Sequence, residues 1–396
     1  MQRCVVPDEW QRMFDTAEAA VSAASVLKGC HGATLIVATT PEGLAIRVLC
    51  LGDVHGPTHP YHPPNWLSSR SCNETTNLQL MQALVASCTR LRRPLTVMLE
   101  EQHFRSADKS GDSVDLMDSI HRRSGLVVVR NQLRGCLTGG VCVLGCRDVR
   151  VEAVDARLFD RSLYGNLFRK KFLGSCRETL PSAAERWYRF FVTPSLSESA
   201  AGRWMWTEFA QMGFDSSEVS FSKYRRRYVE HWLPLLVSET GKVGERAAMR
   251  LREMLISAHL SQFRCELDEE GDVLWVSIQS IIMDYYTLLR IMLNSGAPCV
   301  LQAGTAHTIV VTLVLMLLAK GERHPASRRC RSWCDRAYRD LAHRVFEDDR
   351  FEVNLTEAAG VAVLRRGSLI TGGCATFGDL VRMLCDDSEE KGNKIL

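Results

Sequence analysis

The stretch from Ile46 to Gly56, IRVLCLGDVHG, places the strongest constraint on how this chain folds. It is an apolar run rich in Val, Leu and Ile that stops at Gly-Asp-Val-His-Gly. Such a run is typical of a strand that is buried on both faces of a parallel sheet. Asp53 and His55 follow at its carboxyl end, which is where ligands bind in open α/β sheets. The sequence therefore predicts an α/β fold with a polar site at that edge of the sheet.

Three later segments repeat this pattern of an apolar strand followed by polar residues. The segments, with their polar residues, are Pro94–Glu101 with Glu100 and Glu101, Val149–Asp155 with Asp155 and Arg157, and Pro298–Gly304 with His307. Parallel strands end at a common edge of the sheet, so these side chains are predicted to gather in one crevice. The whole pattern predicts a mostly parallel sheet flanked by helices, with a helical insertion.

The insertion is predicted from residues 183–294, whose apolar spacing is helical throughout. The predicted division is residues 1–182 as the first part of the α/β core, 183–294 as a helical insertion or cap, 295–386 as the remainder of the core, and 387–396 as a polar tail. In the last helix of the insertion, Leu274–Leu293, Asp284 borders the apolar stripe and Arg290 lies on the other side. Both side chains are therefore predicted to be accessible from outside the core.

Composition argues against several classes of protein. The chain has 396 residues and is 46% hydrophobic, which argues against bulk disorder. Its net charge of +3 is too small to indicate a nucleic-acid partner. The longest apolar run, Thr308–Ala319, has 12 residues and is too short for a transmembrane helix. The sequence specifies neither the substrate nor the oligomeric state.

The number and spacing of the 15 cysteines indicate whether the protein belongs to a reducing or an oxidising compartment. Their number is odd, their spacing shows no disulfide framework, and Met1–Glu9 is too polar to begin a signal peptide. All 15 are therefore predicted to be reduced, as in an intracellular protein. The closest spacings, Cys142 with Cys146 and Cys330 with Cys334, lack partners at the spacing of a zinc site, so no structural zinc is expected.

His55 and His307 are the residues best suited to chemistry at the predicted edge. Together with the strand-end carboxylates they form the ligand set of a divalent metal of unspecified identity, or a metal-free His/Glu acid–base pair. The candidate metal ligands are Asp53, His55 and His307. In either case Glu100 or Glu101 is expected to take a proton from water, and Arg157 to neutralise an oxyanion.

The two histidines are predicted to lie close together. Gly52 and Gly304 are expected to end neighbouring parallel strands, which run about 5 Å apart. His55 and His307 follow these glycines and are then expected to project into the same crevice, where they share a ligand or a water molecule.

The short motifs of this pattern resemble those of known families. GDVHG after a first strand, a glutamate after a second, and the closing G-x-x-H of VLQAGTAHTIVV resemble the superfamily of erythromycin esterases, ChaN-type haem-binding proteins and TraB/Tiki proteins. The order GDVHG, LEE, VEAVDAR, MDYYTLLRIM and GTAHT is similar to an uncharacterised protein family of large DNA viruses. These short motifs are spread over most of residues 46–320, and the resemblance rests on them alone.

The resemblance implies a hydrolase, because erythromycin esterases activate water with a His and a Glu, and Tiki-type proteins are metal-dependent proteases. It implies that His55 is the base or metal ligand, that Glu100 or Glu101 is the carboxylate, and that His307 is the second histidine. Position 53 is Asp where the esterases have Glu. The viral family implies a location in the host cytoplasm or the virion.

Two alternative functions remain open. A calcineurin-like metallophosphoesterase also has Gly-Asp-x-His as its first motif, but the Gly-Asn-His motif that supplies further metal ligands is missing from this sequence. A non-catalytic virion or host-interaction protein would keep the polar strand ends for a structural reason alone. The amount of bound metal would distinguish these functions.

Overall fold

A computed structural model of the protein describes the chain in several ranges. They are residues 8–53, 73–103, 133, 149–157, 180–194, 203, 207, 222, 225–266, 274–346, 352–354, 361–365, 368–371 and 376–385. The strands are β1 (Val26–Lys28), β2 (Gly32–Thr39), β3 (Ala45–Asp53), β4 (Glu74–Thr76), β5 (Leu95–Gln102), β6 (Val149–Asp155), β7 (Cys299–Gly304), β8 (Glu352–Asn354), β9 (Val361–Arg365) and β10 (Ser368–Thr371). The helices are α1 (Asp8–Ala23), α2 (Asn77–Arg90), α3 (Leu180–Val192), α4 (Leu233–Val243), α5 (Glu245–Glu266), α6 (Leu274–Leu293), α7 (Thr305–Ala319), α8 (Arg328–Phe346) and α9 (Phe377–Cys385). A π-helical turn, Tyr228–Trp232, precedes α4.

The core is a seven-stranded sheet in the order β10-β9-β2-β3-β7-β5-β6. Strands β3, β7, β5 and β6 are parallel to one another. Strand β2 forms an antiparallel hairpin with β3 and pairs in parallel with β9, and β10 is antiparallel to β9. A second, three-stranded sheet has the order β4-β1-β8. The predicted α/β fold with a mostly parallel sheet is therefore confirmed.

Helices cover both faces of the large sheet. Leu49 and Val300 face the layer made by α1, α2 and α9, whereas the adjacent Val48 and Leu301 face the layer that contains α3 to α8. This alternation follows from the pleat, which points successive side chains to opposite faces. Because both faces are buried, the central strands are mostly apolar instead of alternating between apolar and polar residues, which is the pattern seen in the sequence.

Helix α7 explains the most apolar run of the chain. It begins directly after β7 and is buried almost without interruption from Thr305 to Leu318. One side of α7 packs on β2, β3 and β7, and its other sides contact α5, α6 and α8. A helix that is surrounded in this way is apolar around its whole circumference rather than along one stripe. The expected apolar helix after the closing Gly-x-x-His is thus present, inside the protein.

The described residues between 183 and 294 are helical except Thr193, Pro194, Gly244 and Asn294, and no strand occurs among them. Helix α6 is buried on every side from Gln279 to Leu289, because it packs on β3 and β6 and also on α3, α4, α5 and α7. Asp284 is only 1% exposed. The prediction that Asp284 is accessible from outside the core is therefore wrong.

Arg290 is also less accessible than predicted. Its Nε and Nη2 donate to the two carboxylate oxygens of Glu152 on β6, at 2.8 and 2.7 Å, and its Nη1 donates to Glu239 on α4 at 3.0 Å. The side chain is 16% exposed. These charge-assisted bonds tie α6 to the edge strand β6, so Arg290 holds the helical layer on the sheet.

The composition predicts reduced cysteines and no transmembrane helix. Among the described cysteines, Cys50, Cys88, Cys299, Cys330, Cys334 and Cys385 are free thiols, and Cys142 and Cys146 lie outside the described ranges. Within the described part of the chain, no helix has both the length and the apolar character needed to cross a bilayer.

Candidate functional site

The strand register brings the predicted strand ends to one edge of the sheet. Asp53 of β3 pairs with Gly304 of β7, and Gln102 of β5 pairs with Asp155 of β6. Strand β7 lies between β3 and β5, so the four parallel strands end side by side. The polar residues at these strand ends are therefore brought to a common edge of the sheet.

Gly52 allows the first turn of α7 to lie against the end of β3. A Cβ atom at position 52 would lie 2.8 Å from Oγ1 of Thr308 and 3.3 Å from Cα of Thr305. Oγ1 of Thr308 is itself held by a 2.8 Å hydrogen bond to the carbonyl oxygen of Thr305. Glycine at position 52 therefore sets the position of the helix turn that carries His307.

We expect Gly52→Ala to lower the free energy of unfolding by about 1 to 3 kcal/mol, because the added methyl group overpacks the contact between β3 and α7. Urea denaturation followed by circular dichroism measures this change. Gly241→Ala is the control: a Cβ atom at position 241 of α4 meets nothing within 4 Å. That change is expected to stabilise the helix by about 0.5 to 1 kcal/mol. Equal effects of the two variants would show that the close approach at Gly52 is unimportant.

Arg157 joins several of the polar side chains at this edge of the sheet. Its Nε donates to Oδ1 of Asp155 at 2.8 Å, and its Nη2 donates to Oδ2 of Asp155 at 2.9 Å and to Oε1 of Glu100 at 2.5 Å. Its backbone N–H also donates to Oδ1 of Asp155 at 3.1 Å. The side chains of these three residues are at most 4% exposed. Charge-assisted bonds that are buried to this degree fix the guanidinium plane.

Glu100, rather than Glu101, is the glutamate that contacts Arg157. The second oxygen of Glu100 accepts a hydrogen bond of 2.7 Å from the backbone N–H of Gly304 at the end of β7. Glu100 thus joins β5, β7 and Arg157. Glu101 is also buried, and the pairing of β5 with β6 shifts register between Leu99 and Gln102, so the two glutamates lie in a bulge or irregularity of the strand. The structure thereby resolves an ambiguity that the paired glutamates leave in the sequence.

His307 lies in the first turn of α7 with both ring nitrogens engaged. Its Nδ1 is 2.6 Å from Oδ1 of Asp284, and its Nε2 is 3.2 Å from Nη1 of Arg157 and 3.6 Å from Oε1 of Glu100. An ionised carboxylate only accepts and a guanidinium only donates hydrogen bonds. This set of partners assigns the ring proton to Nδ1 and directs the lone pair of Nε2 towards Arg157. The orientation of the imidazole is therefore fixed at both ends.

Asp284 bridges two histidines. Its Oδ2 lies 2.8 Å from Nε2 of His259 on α5, a fully buried residue whose ring packs 5.2 Å from the ring of Tyr188. Burial raises the pKa of Asp284, but the charges and short contacts of His307 and His259 outweigh burial and leave the pKa below its ordinary value. Asp284 is therefore ionised at neutral pH and stabilises a proton on Nδ1 of His307.

Glu100, Asp155, Arg157, Asp284 and His307 form what we call the strand-end cluster. The sequence pattern identified the members on the strand ends and on α7, but it missed the roles of Asp284 and His259. The signal for Asp284 was a lone carboxylate in the otherwise apolar centre of Leu274–Leu293. The signal for His259 was weaker, because polar residues also surround it in the sequence SAHLSQ.

Of the three predicted metal ligands, only His307 has a side chain within the described residues. His55 and the side chain of Asp53 lie outside the described residues, so the predicted approach of His55 to His307 stays a prediction. The strand arrangement on which this prediction rests is present, because Gly52 and Gly304 lie at the ends of neighbouring parallel strands. At His307 the donors do not fit a cation, because Nδ1 is bonded to Asp284 and Nε2 faces a guanidinium. Among the described residues, no group of three or more His, Cys, Asp or Glu side chains is arranged to hold a metal ion.

The strand-end cluster contains three buried carboxylates, one guanidinium and one imidazole, with His259 as a further imidazole beside Asp284. Ionisable groups at this density are expensive to bury unless they are paired, and they concentrate at functional sites. Comparison of the chain with protein-family models, with characterised proteins and with solved structures found no match.

Proposed function

We propose that this protein is a hydrolase of the erythromycin esterase/TraB-like type, in which the strand-end cluster activates water to attack an acyl carbonyl. The observation that carries the proposal is the position of His307, which is held between the carboxylate of Asp284 and the guanidinium of Arg157. The superfamily that the motifs resemble includes esterases and proteases, whose reactions share attack on a carbonyl carbon. The substrate class is therefore an ester or an amide.

His307 is the general base in this proposal. With its proton on Nδ1, the ring presents an unprotonated Nε2 that can accept a proton from a water molecule. Asp284 stabilises the imidazolium that forms and keeps the ring in the correct tautomer, as the carboxylate does in other carboxylate–histidine pairs. His307 is 5% exposed, so the base is largely shielded from bulk water.

Arg157 supplies positive charge beside the base. Its Nη1 is 3.2 Å from Nε2 of His307, so a carbonyl oxygen that becomes negative next to the attacking water lies near the guanidinium. Glu100 and Asp155 hold that guanidinium in place. Both oxygens of Glu100 already accept hydrogen bonds, from Arg157 and from Gly304. We therefore assign Glu100 to positioning, instead of the proton transfer that the resemblance implies.

A structural role is the main alternative, and one observation favours it. In the structure, Nη1 of Arg157 lies where an activated water molecule would contact Nε2 of His307. A cluster that only holds β5, β6, β7 and α6 together would have the same contacts. In that case the protein would be a non-catalytic virion or host-interaction protein. The two roles differ in whether hydrolysis depends on Asp284 and His307.

Asp284→Asn tests the proposal. The change keeps the shape of the side chain but removes its charge, so the imidazolium in the transition state loses a charged hydrogen bond worth about 1.5 to 3 kcal/mol. We expect hydrolysis to slow by about 10- to 100-fold. The assay follows release of nitrophenol from acyl esters of increasing chain length, with anilides as amide substrates and nitrophenyl phosphate as a phosphoesterase substrate.

Asp340→Asn, an exposed position on α8, is the matched control and should leave the rate unchanged. Circular dichroism and thermal melting establish that both variants are folded. Turnover of nitrophenyl phosphate alone would favour the metallophosphoesterase. Absence of acyl hydrolysis in the parent protein, together with destabilisation by Asp284→Asn, would assign the cluster to a structural role.

A further inference from the structure

Two buried thiols meet on the face of the sheet that is opposite to the strand-end cluster. Cys88 lies near the end of α2 and Cys385 is the last residue of α9, and their sulfur atoms are 3.5 Å apart. Both residues are free and at most 1% exposed. A disulfide has an S–S length of about 2.05 Å, so bond formation requires an approach of only about 1.5 Å.

Two arginines surround the end of α9 that carries Cys385. Nη1 of Arg93 donates to the carbonyl oxygen of Cys385 at 3.0 Å, and Nη1 of Arg47 donates to those of Met383 and Leu384, both at 3.3 Å. The hydrogen bond from Cys88 lowers the pKa of Cys385, and Arg93 and Arg47 lower it further, against the opposing effect of burial. The same hydrogen bond, together with burial, raises the pKa of Cys88. Cys385 is therefore the thiol that ionises first and the better nucleophile of the pair.

A cavity of about 440 Å³ lies between α1, α2 and α9. Residues that line it include Ser22, Ala83, Ser87, Arg90, Val381 and Arg382. Ser87 precedes Cys88 on α2, and Val381 lies one helical turn before Cys385 on α9. Ser87 and Val381, each close to one of the cysteines along its helix, thus line a cavity through which a small, uncharged oxidant would approach the pair.

We propose that Cys88 and Cys385 form a reversible oxidation site at which hydrogen peroxide, or another small hydroperoxide, creates a disulfide between α2 and α9. The Cys385 thiolate attacks one peroxide oxygen, the O–O bond breaks, and a sulfenic acid forms as hydroxide leaves. The sulfur of Cys88 then attacks the sulfenic sulfur, so that the S–S bond forms and the S–O bond breaks. The protons of the two thiols end in two water molecules. Two thiols and one peroxide thus give one disulfide and two waters, and a dithiol reductant reverses the reaction.

Cys330 and Cys334 provide an internal comparison. They are buried neighbours four residues apart on α8. Cβ atoms at this spacing on a helix are about 5 to 6 Å apart, whereas a disulfide needs about 3.5 to 4.5 Å. This pair is therefore expected to stay reduced unless the helix opens, although its thiols also lie next to each other. Cys88 and Cys385 differ from this pair because their thiols are close together and lie on two separate helices.

The test is peptide mapping of the full chain after treatment with one equivalent of hydrogen peroxide. Free thiols are blocked under denaturing conditions, and the digest is analysed by mass spectrometry without reductant. We expect a peptide that links Cys88 to Cys385, which disappears with dithiothreitol, and we expect Cys330 and Cys334 to be recovered as blocked thiols. The disulfide closes a loop between residues 297 positions apart, so the melting temperature of the oxidised protein should rise.

Cys88→Ser separates the two steps of the reaction. Without Cys88, Cys385 should stop at the sulfenic acid, which dimedone traps, whereas Cys385→Ser should leave Cys88 reduced. Recovery of Cys88 and Cys385 as blocked thiols after the peroxide treatment would overturn the proposal, whatever the state of Cys330 and Cys334. The mapping of the parent protein needs no variant, so misfolding of either variant leaves the result decisive.

Discussion

Replacing Arg157 with methionine is expected to lower the free energy of unfolding by about 3 to 5 kcal/mol, the largest stability effect that we expect for a single change in this protein. The guanidinium is 4% exposed and bonds to Asp155, Glu100 and His307. Methionine fills a similar volume but leaves the two carboxylates buried without their cation. Urea denaturation measures the change in unfolding free energy.

Arg382→Met is the matched control for Arg157→Met. Arg382 also pairs with an aspartate, Asp379, but its side chain is 75% exposed. Surface ion pairs contribute about 0 to 1 kcal/mol, so this variant should be nearly as stable as the parent. Removing Glu100 and Arg157 together, as Glu100→Gln with Arg157→Met, should cost less than the sum of the single changes, because neither partner is then left alone. Additive effects would contradict the coupling between the two residues.

Replacing His307 with glutamine is expected to slow acyl hydrolysis by about 10²- to 10⁴-fold, which is the usual contribution of a positioned general base. Glutamine can still hydrogen-bond to Asp284 or Arg157, but its amide cannot accept a proton at neutral pH. The loss should appear in kcat more than in KM, because proton transfer occurs in the transition state. Steady-state rates on the best acyl ester measure both parameters.

His324→Gln is the control for His307→Gln, since His324 is an exposed histidine that precedes α8. It should keep the parent rate. If both histidine variants hydrolysed the ester at the parent rate, His307 would not be the base. If His307→Gln unfolded at room temperature, the milder Asp284→Asn would carry the same test.

The large sheet was predictable from the sequence because burial on both faces makes a parallel strand continuously apolar. The strands that follow Ile46, Pro94 and Pro298 all show this pattern, and the topology then brings their polar ends together. The short strands β9 and β10 lie near the edge opposite to β6. They have five and four residues, too few for the alternation of apolar and polar residues to indicate a strand.

The contribution of the helical layer to the site was not predictable from spacing. Asp284 borders an apolar stripe, and a border position is exposed when a helix has one solvent-facing side. Helix α6 has no such side, because the sheet and other helices surround it, so the border residue points inward to His307. The choice between Glu100 and Glu101 likewise depends on which face of β5 meets Arg157. The pairing of β5 with β6 shifts register between Leu99 and Gln102, and the sequence does not indicate this irregularity.

The position of the ring proton on His307 is the feature on which the hydrolytic proposal depends most. It can be measured in the long-range ¹H–¹⁵N NMR spectrum of protein labelled with ¹⁵N-histidine, at a pH of about 8.5 where an ordinary imidazole is neutral. The chain has 11 histidines, and the signal lost in His307→Gln identifies the ring of interest. The contacts with Asp284 and Arg157 predict a protonated Nδ1 and an unprotonated Nε2. A proton on Nε2, directed towards Glu100, would leave no base facing the crevice and would contradict the proposed function.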